Sequence, residues 1–272
     1  MSPSHPSTTD PRPPVEAPFA QPDLHPADSH PAYPHEGGLR VGDLHPLDNP
    51  ARAALLGPHA HLAERYGSVL RYQVDVSPFV ALPDRPDESA WSDVAALLGP
   101  GAVAAVSGYG GTPPPGWEVV MHGPGVQLVD EGVAAAPDAE ALTLGPDDVE
   151  EMLALVAHAQ PGPFLPRTIE LGTYLGFRHR GELIAMAGER LHVPGWTEIS
   201  AVCTAADHRG KGLATRLVHA VAAGIRARGE TPFLHAAASN TNAIRLYESL
   251  GFRLRREVAF LAVRVPVTGA GA

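Results

Sequence analysis

Residues 198–215 read Glu198-Ile-Ser-Ala-Val-Cys-Thr-Ala-Ala-Asp-His-Arg-Gly-Lys-Gly-Leu-Ala-Thr215, an apolar strand that runs into a glycine-rich turn and then into a helix. Gly210 and Gly212 give the backbone room to curl, so that successive N–H groups can converge on an anion. The new helix adds its own unpaired N–H groups and the positive end of its dipole. A pyrophosphate suits such a receptor. The helix is well specified: Leu213, Leu217 and Val221 recur at four-residue spacing, Val218, Ala222 and Ile225 widen the stripe, and Gly229 follows a basic last turn.

A Gly-x-Gly at a strand-to-helix junction also serves any tight turn, so its neighbours decide what it means. The spacing is not the dinucleotide-binding Gly-x-Gly-x-x-Gly, since Thr215 stands where the third glycine belongs. Nor is it the phosphate loop of nucleotide hydrolases, which needs Ser or Thr directly after Gly-Lys, whereas here Gly212 follows Lys211.

Downstream come a strand, Pro232–Ala238, and then Ser239-Asn240-Thr-Asn242-Ala-Ile-Arg-Leu246-Tyr247-Glu-Ser-Leu-Gly251-Phe252. With this block the pattern becomes specific. Arg209-x-x-Gly212-x-Ala214 resembles the Gln/Arg-x-x-Gly-x-Gly/Ala motif of the GNAT superfamily of N-acetyltransferases. Asn240-x-x-Ala243-x-x-Leu246-Tyr247 with Gly251-Phe252 is similar to that superfamily's second block. The strand Glu-Ile-Ser-Ala-Val-Cys-Thr also resembles a branch in which a degenerate GNAT-like half precedes the active one. The likeness covers residues 141–265 well and residues 43–140 by position alone.

The resemblance implies an α/β (α+β) GNAT fold, a mixed central sheet flanked by helices, with acetyl-CoA as co-substrate and no metal. It implies that Val202, Cys203 and Thr204 present backbone to the pantetheine arm. Arg209, Gly210, Lys211, Gly212, Leu213, Ala214 and Thr215 would wrap the pyrophosphate, and Asn240 and Tyr247 would face the thioester. Family members generally transfer the acetyl group directly, so Cys203 is expected to be a small buried residue and not a nucleophile.

Transfer needs a neutral amine, yet an alkylammonium titrates near ~10.4, so a proton must leave at neutral pH. Glu198 lies on the strand expected beside the thioester and resembles, in placement, the general-base glutamate of several family members. Glu170, Glu189 and His192 are weaker candidates, because neither motif fixes their position. Tyr247 carries a family-derived role as the acid that protonates or hydrogen-bonds the leaving thiolate.

Outward from this core, the helix Asp147–Gln160 would bury Met152, Leu155 and Val156 and stop at Pro161-Gly162-Pro163. Strands are expected at Thr173–His179, Glu182–Leu191 and Trp196–Ala205, the first two joined by an Arg180-Gly181 turn. Residues 43–140 read as a smaller α/β unit: a helical stretch Pro50–Tyr66 broken at Gly57-Pro58, strands Val69–Val76, Phe79–Leu82, Ala102–Ser107, Trp117–His122 and Val126–Val129, and a helix Ser89–Leu98 capped by Ser89. His59 and His61 read as structural residues rather than a metal pair. Residues 1–42, rich in Pro, His and acids, form a disordered tail whose scattered His5, His25, His30 and His35, with His45 just beyond, lack ligand spacing. The expected divisions are 1–42, 43–140 and a catalytic 141–272.

At 272 residues the chain can bury a sizeable core, and no run approaches the ~20 apolar residues of a membrane helix. One cysteine, Cys203, excludes an internal disulfide and fits the reducing cytoplasm. The formal charge of −10 is uneven: 18 acidic against 6 basic side chains up to residue 140, 12 against 14 beyond. The acidic half argues against a nucleic-acid surface, and the mildly basic half suits an anionic ligand. The expected partner is an amine-bearing small molecule or peptide. A non-catalytic acyl-CoA-binding regulatory module is the alternative; an interaction protein working through the acidic half has no positive support. Glu198 and Tyr247 beside an intact cofactor motif favour catalysis over mere binding.

Overall fold

Arg180 and Gly181 both adopt left-handed backbone (φ 53° and 90°), as a two-residue hairpin turn requires. They join β7 (Tyr174–His179) to β8 (Glu182–Val193), and a second turn with Gly195 at φ 79° leads on to β9 (Trp196–Thr204). This meander is the middle of the computed structural model, which describes residues 45–267. The expected tail, with His5, His25, His30 and His35, lies outside the described residues.

The other strands are β1 (Ala63–Tyr66), β2 (Val69–Tyr72), β3 (Phe79–Ala81), β4 (Val103–Ser107), β5 (Glu118–Asp130), β6 (Leu142–Thr143), β10 (Thr231–Ala237) and β11 (Phe252–Arg264). The helices are α1 (Pro50–Leu56), α2 (Glu88–Leu98), α3 (Val149–Ala159), α4 (Leu213–Ala227) and α5 (Thr241–Leu250). Among the described residues, eleven strands form one mixed sheet in the order β1-β2-β3-β4-β11-β5-β10-β9-β8-β7-β6. The C-terminal β11 inserts between β4 and β5, and β5 pairs with β10, so the ladder is continuous across residue 140.

Helices cover both faces of the central strands, and the sequence of β8 shows it: Leu183 through Glu189 are buried without alternation. Leu183 and Met186 pack with Met152 and Leu155 of α3. Ile184, Ala185 and Ala187 meet Leu217, Val218 and Val221 of α4 on the other face. Full burial of each leucine, isoleucine or valine there contributes about 1.5–3 kcal/mol, so the α4 stripe expected from its spacing is what fixes that helix to the sheet.

Three local expectations are corrected. Ala63–Tyr66 is a strand, not the end of a helix, because Gly67 (φ 53°) turns the chain back and pairs it with β2. Asp87, not Ser89, caps α2, accepting from Ala90 N at 3.1 Å while the Ser89 hydroxyl donates to the same carboxylate at 2.6 Å. The two strands expected between Trp117 and Val129 are a single β5, since Gly123-Pro124-Gly125 stays extended within it.

His59, in the turn after α1, ties the first half to β8. It is buried, with Nδ1 2.9 Å from the Tyr72 hydroxyl and its ring 5.2 Å from that of His192. Burial, and then the neighbouring His192, hold its imidazole down to about 4. An unfolded histidine titrates near ~6.5, so the unfolded chain binds the extra proton first, and stability falls as pH drops from about 6.5 towards 4. Urea denaturation across that range should show this slope in wild type and a shallower one in His59→Gln. Equal slopes would contradict the assignment.

Candidate cofactor and transfer site

Between β9 and α4 the chain makes one 3-10 turn, Ala206–His208, and then the segment Arg209–Gly212. Gly210 and Gly212 have φ of 73° and 75°, where side chains are strained, and a Cβ at either would meet nothing within 4 Å. The glycines are therefore required by backbone conformation, and the space beside them is open. Gly212 is the N-cap of α4 and has no side chain to satisfy the first-turn amides. Arg209 and Lys211 are exposed around this turn, Arg209 Nε lying 3.3 Å from Thr204 O. Open space, unsatisfied amides, a helix dipole and two cations fit an anionic diphosphate.

The second feature is a parting of strands. The parallel pairing of β9 with β10 covers only Thr231↔Trp196, Pro232↔Thr197 and Phe233↔Glu198, after which the strands diverge. Ala201, left-handed at φ 53°, turns the β9 backbone within the divergent stretch. Val202 and Thr204 are half-buried there and Cys203 is buried. Burial pushes the Cys203 thiol up to about 12, so it stays protonated and is a packing residue.

Tyr247 reaches this region from α5, its ring 6.1 Å from that of Phe252 in an edge arrangement. Burial, and then the nearby Cys203, push its phenol up to about 12, which keeps it a hydrogen-bond donor throughout the neutral range. Asn240 caps α5, accepting from Ala243 N at 3.2 Å, and so fixes the start of the helix that carries Tyr247.

Glu198 stands at the last paired rung, wholly buried. Oε1 accepts from Arg190 Nη2 (2.6 Å) and His235 Nδ1 (2.7 Å), and Oε2 accepts from Arg190 Nε (2.8 Å). Burial alone would raise its pKa, but Arg190 and the His235 hydrogen bond outweigh it and hold the carboxylate down to about 2. Arg190 and His235 engage both oxygens of the carboxylate and lower its basicity, which disfavours direct abstraction of a proton by Glu198. The weaker candidates are engaged elsewhere: Glu170 with Arg167 at 2.6 Å, and Glu189 with Arg228 (2.9 Å) and His192 (3.1 Å). Arg190, His235 and Gln127 belong to neither sequence motif. For His235 and Gln127 the signal is a polar residue inside an apolar run of a strand; Arg190, beside Glu189, carries none.

The family model described as FR47-like protein matches residues 174–261, which span β7 to β11. Among solved structures, a protein from Novosphingobium aromaticivorans described as an acetyltransferase from the GNAT family is 39% identical over 82% of this chain and 100% of its own, with a TM-score of 0.75. A GCN5-related N-acetyltransferase from Kribbella flavida is 18% identical over 82% of this chain and 97% of its own, with a TM-score of 0.52, a likeness of fold. No curated protein is a significant match to the chain.

Proposed function

Because the chain belongs to the GNAT family of acetyltransferases, we propose that it transfers an acetyl group from acetyl-CoA directly to a primary amine on a small-molecule or peptide acceptor in the cytoplasm. The observation that carries this is the meeting of the Arg209–Thr215 turn at the α4 N-terminus with the parting of β9 and β10. When bound, acetyl-CoA would supply the acetyl group: the amine nitrogen bonds the acetyl carbon as the carbon–sulfur bond breaks, the sulfur leaves with a proton as free thiol, and the proton shed by nitrogen passes to solvent. The amides of Gly210 to Thr215, with Arg209 and Lys211, would hold its diphosphate. The backbone of Val202, Cys203 and Thr204, in the divergent stretch of β9, would align its pantetheine arm.

Tyr247 holds a proton at its phenol oxygen and would present it to the departing sulfur. Asn240 would act by fixing the helix from which that phenol projects. Tyr247→Phe should slow turnover while leaving acetyl-CoA affinity unchanged, and alkaline pH should not restore it, since higher pH does nothing to protonate a thiolate. Wild-type turnover in Tyr247→Phe would remove this role.

Calorimetric titration with acetyl-CoA tests the cofactor assignment, together with a melting curve. At a hundred times the dissociation constant the ligand should stabilise the fold by about 2.7 kcal/mol. A melting curve unchanged by millimolar ligand, with no heat of binding, would overturn it.

A further inference from the structure

Glu198 is the last β9 residue before the strands part, and His235 lies two residues into the divergent stretch of β10. Their side chains meet across the parting, and each is anchored from behind. Arg190 of β8 grips both oxygens of Glu198 and stacks over Phe79, its guanidinium carbon 5.1 Å from the ring centroid. Gln127 of β5 lies with Nε2 3.0 Å from His235 Nε2.

The network assigns the histidine tautomer. Gln127 Nε2 must donate to Leu47 O (2.9 Å), and Gln127 Oε1 must accept from Arg255 Nη1 (2.7 Å), which fixes the amide. The amide therefore donates to His235 Nε2, and the ring proton sits on Nδ1, where it donates to Glu198. Arg255 continues the chain to Asp48 at 2.7 Å. One polar ribbon, buried at Glu198 and Gln127 and partly so elsewhere, thus crosses five neighbouring strands, β8, β9, β10, β5 and β11, and it crosses the gap through Glu198 and His235.

Resting on the acetyl-CoA reading, we infer that Glu198 and His235 are positioning residues: their hydrogen bond clasps β9 to β10 at the inner end of the gap and sets the width of the slot that receives the thioester. Strands that have lost their ladder bonds have no backbone constraint on their separation. A charge-assisted bond held from both sides supplies one. Arg190, Tyr72 and Tyr174 are the other ionisable groups acting on Glu198, and burial raises the pKa of both phenols. Both stay neutral, so neither adds a charge beside Glu198 from neutral to alkaline pH.

The test uses the full chain and acetyl-CoA itself. His235→Asn keeps a donor near the place of Nδ1, whereas His235→Leu keeps bulk and loses the donor. Leucine should weaken acetyl-CoA binding by ~10-fold or more and asparagine by less than ~3-fold, each measured by calorimetry on protein with an intact melting transition. Glu198→Gln should lower turnover by the same factor at pH 7 and at about pH 9.5, because a positioning defect is not relieved when the acceptor deprotonates. Equal binding by the asparagine and leucine variants would overturn the clasp, and so would a Glu198→Gln deficit that shrinks in alkali. Should Glu198→Gln fail to fold, the His235 pair still decides. Failure of the wild type to bind acetyl-CoA would instead remove the underlying reading.

Discussion

Gly212→Asp is expected to weaken acetyl-CoA binding by at least ~100-fold, about 2.7 kcal/mol, and to abolish the ligand's thermal stabilisation. Two effects combine. The residue sits at φ 75°, where a side chain other than glycine is strained by about 1–2 kcal/mol. More important, a Cβ there points into open space at the head of α4, so the carboxylate would stand where the diphosphate is to be held. Gly212→Ala separates the terms, since it introduces the backbone strain without the charge and should weaken binding far less. Equal effects from alanine and aspartate would place the anion elsewhere. The fold should survive both changes, because no neighbouring atom is displaced.

Arg190→Met carries the largest expected stability effect. Glu198 has no exposed surface, and Arg190 supplies two of its three hydrogen bonds. Removing one member of a buried ion pair leaves the other charge uncompensated, at a cost of about 3–5 kcal/mol. Urea denaturation should show an unfolding free energy lower by that amount, with the midpoint falling in proportion and the slope unchanged. Adding Glu198→Gln to Arg190→Met should recover much of the loss, because the amide carries no charge and still accepts from His235 Nδ1. A double variant no more stable than Arg190→Met alone would show that packing against Phe79, and not the buried charge, is what Arg190 contributes.

What the sequence makes legible depends on how local the cause is. The α4 stripe, the Arg180-Gly181 turn and the Arg209–Thr215 segment follow from spacing and glycine placement within a few residues, and they occur where expected. Ala63–Tyr66 falls at the end of the helical stretch expected over Pro50–Tyr66; only the turn at Gly67 and pairing with β2 make it a strand. The insertion of β11 between β4 and β5 joins segments more than a hundred residues apart, and no local pattern encodes it. The motif places Glu198 on the strand expected beside the thioester. It does not place the surroundings of Glu198, since Arg190, His235, Gln127 and Arg255 converge on one face only through the register of five strands.

The central claim is acetyl transfer to an amine, and the direct measurement is thiol release from acetyl-CoA against a panel of ethanolamine, spermidine, tyramine and peptides ending in alanine or containing lysine, with mass spectrometry of the amine. The account predicts enzyme-dependent release that requires one of these amines, with the acetyl group recovered on its nitrogen, and loss of that release in Gly212→Asp. Tight binding of acetyl-CoA with no amine-dependent thiol release and no acetylated product across the panel would contradict it and leave a protein that binds acyl-CoA without turning it over.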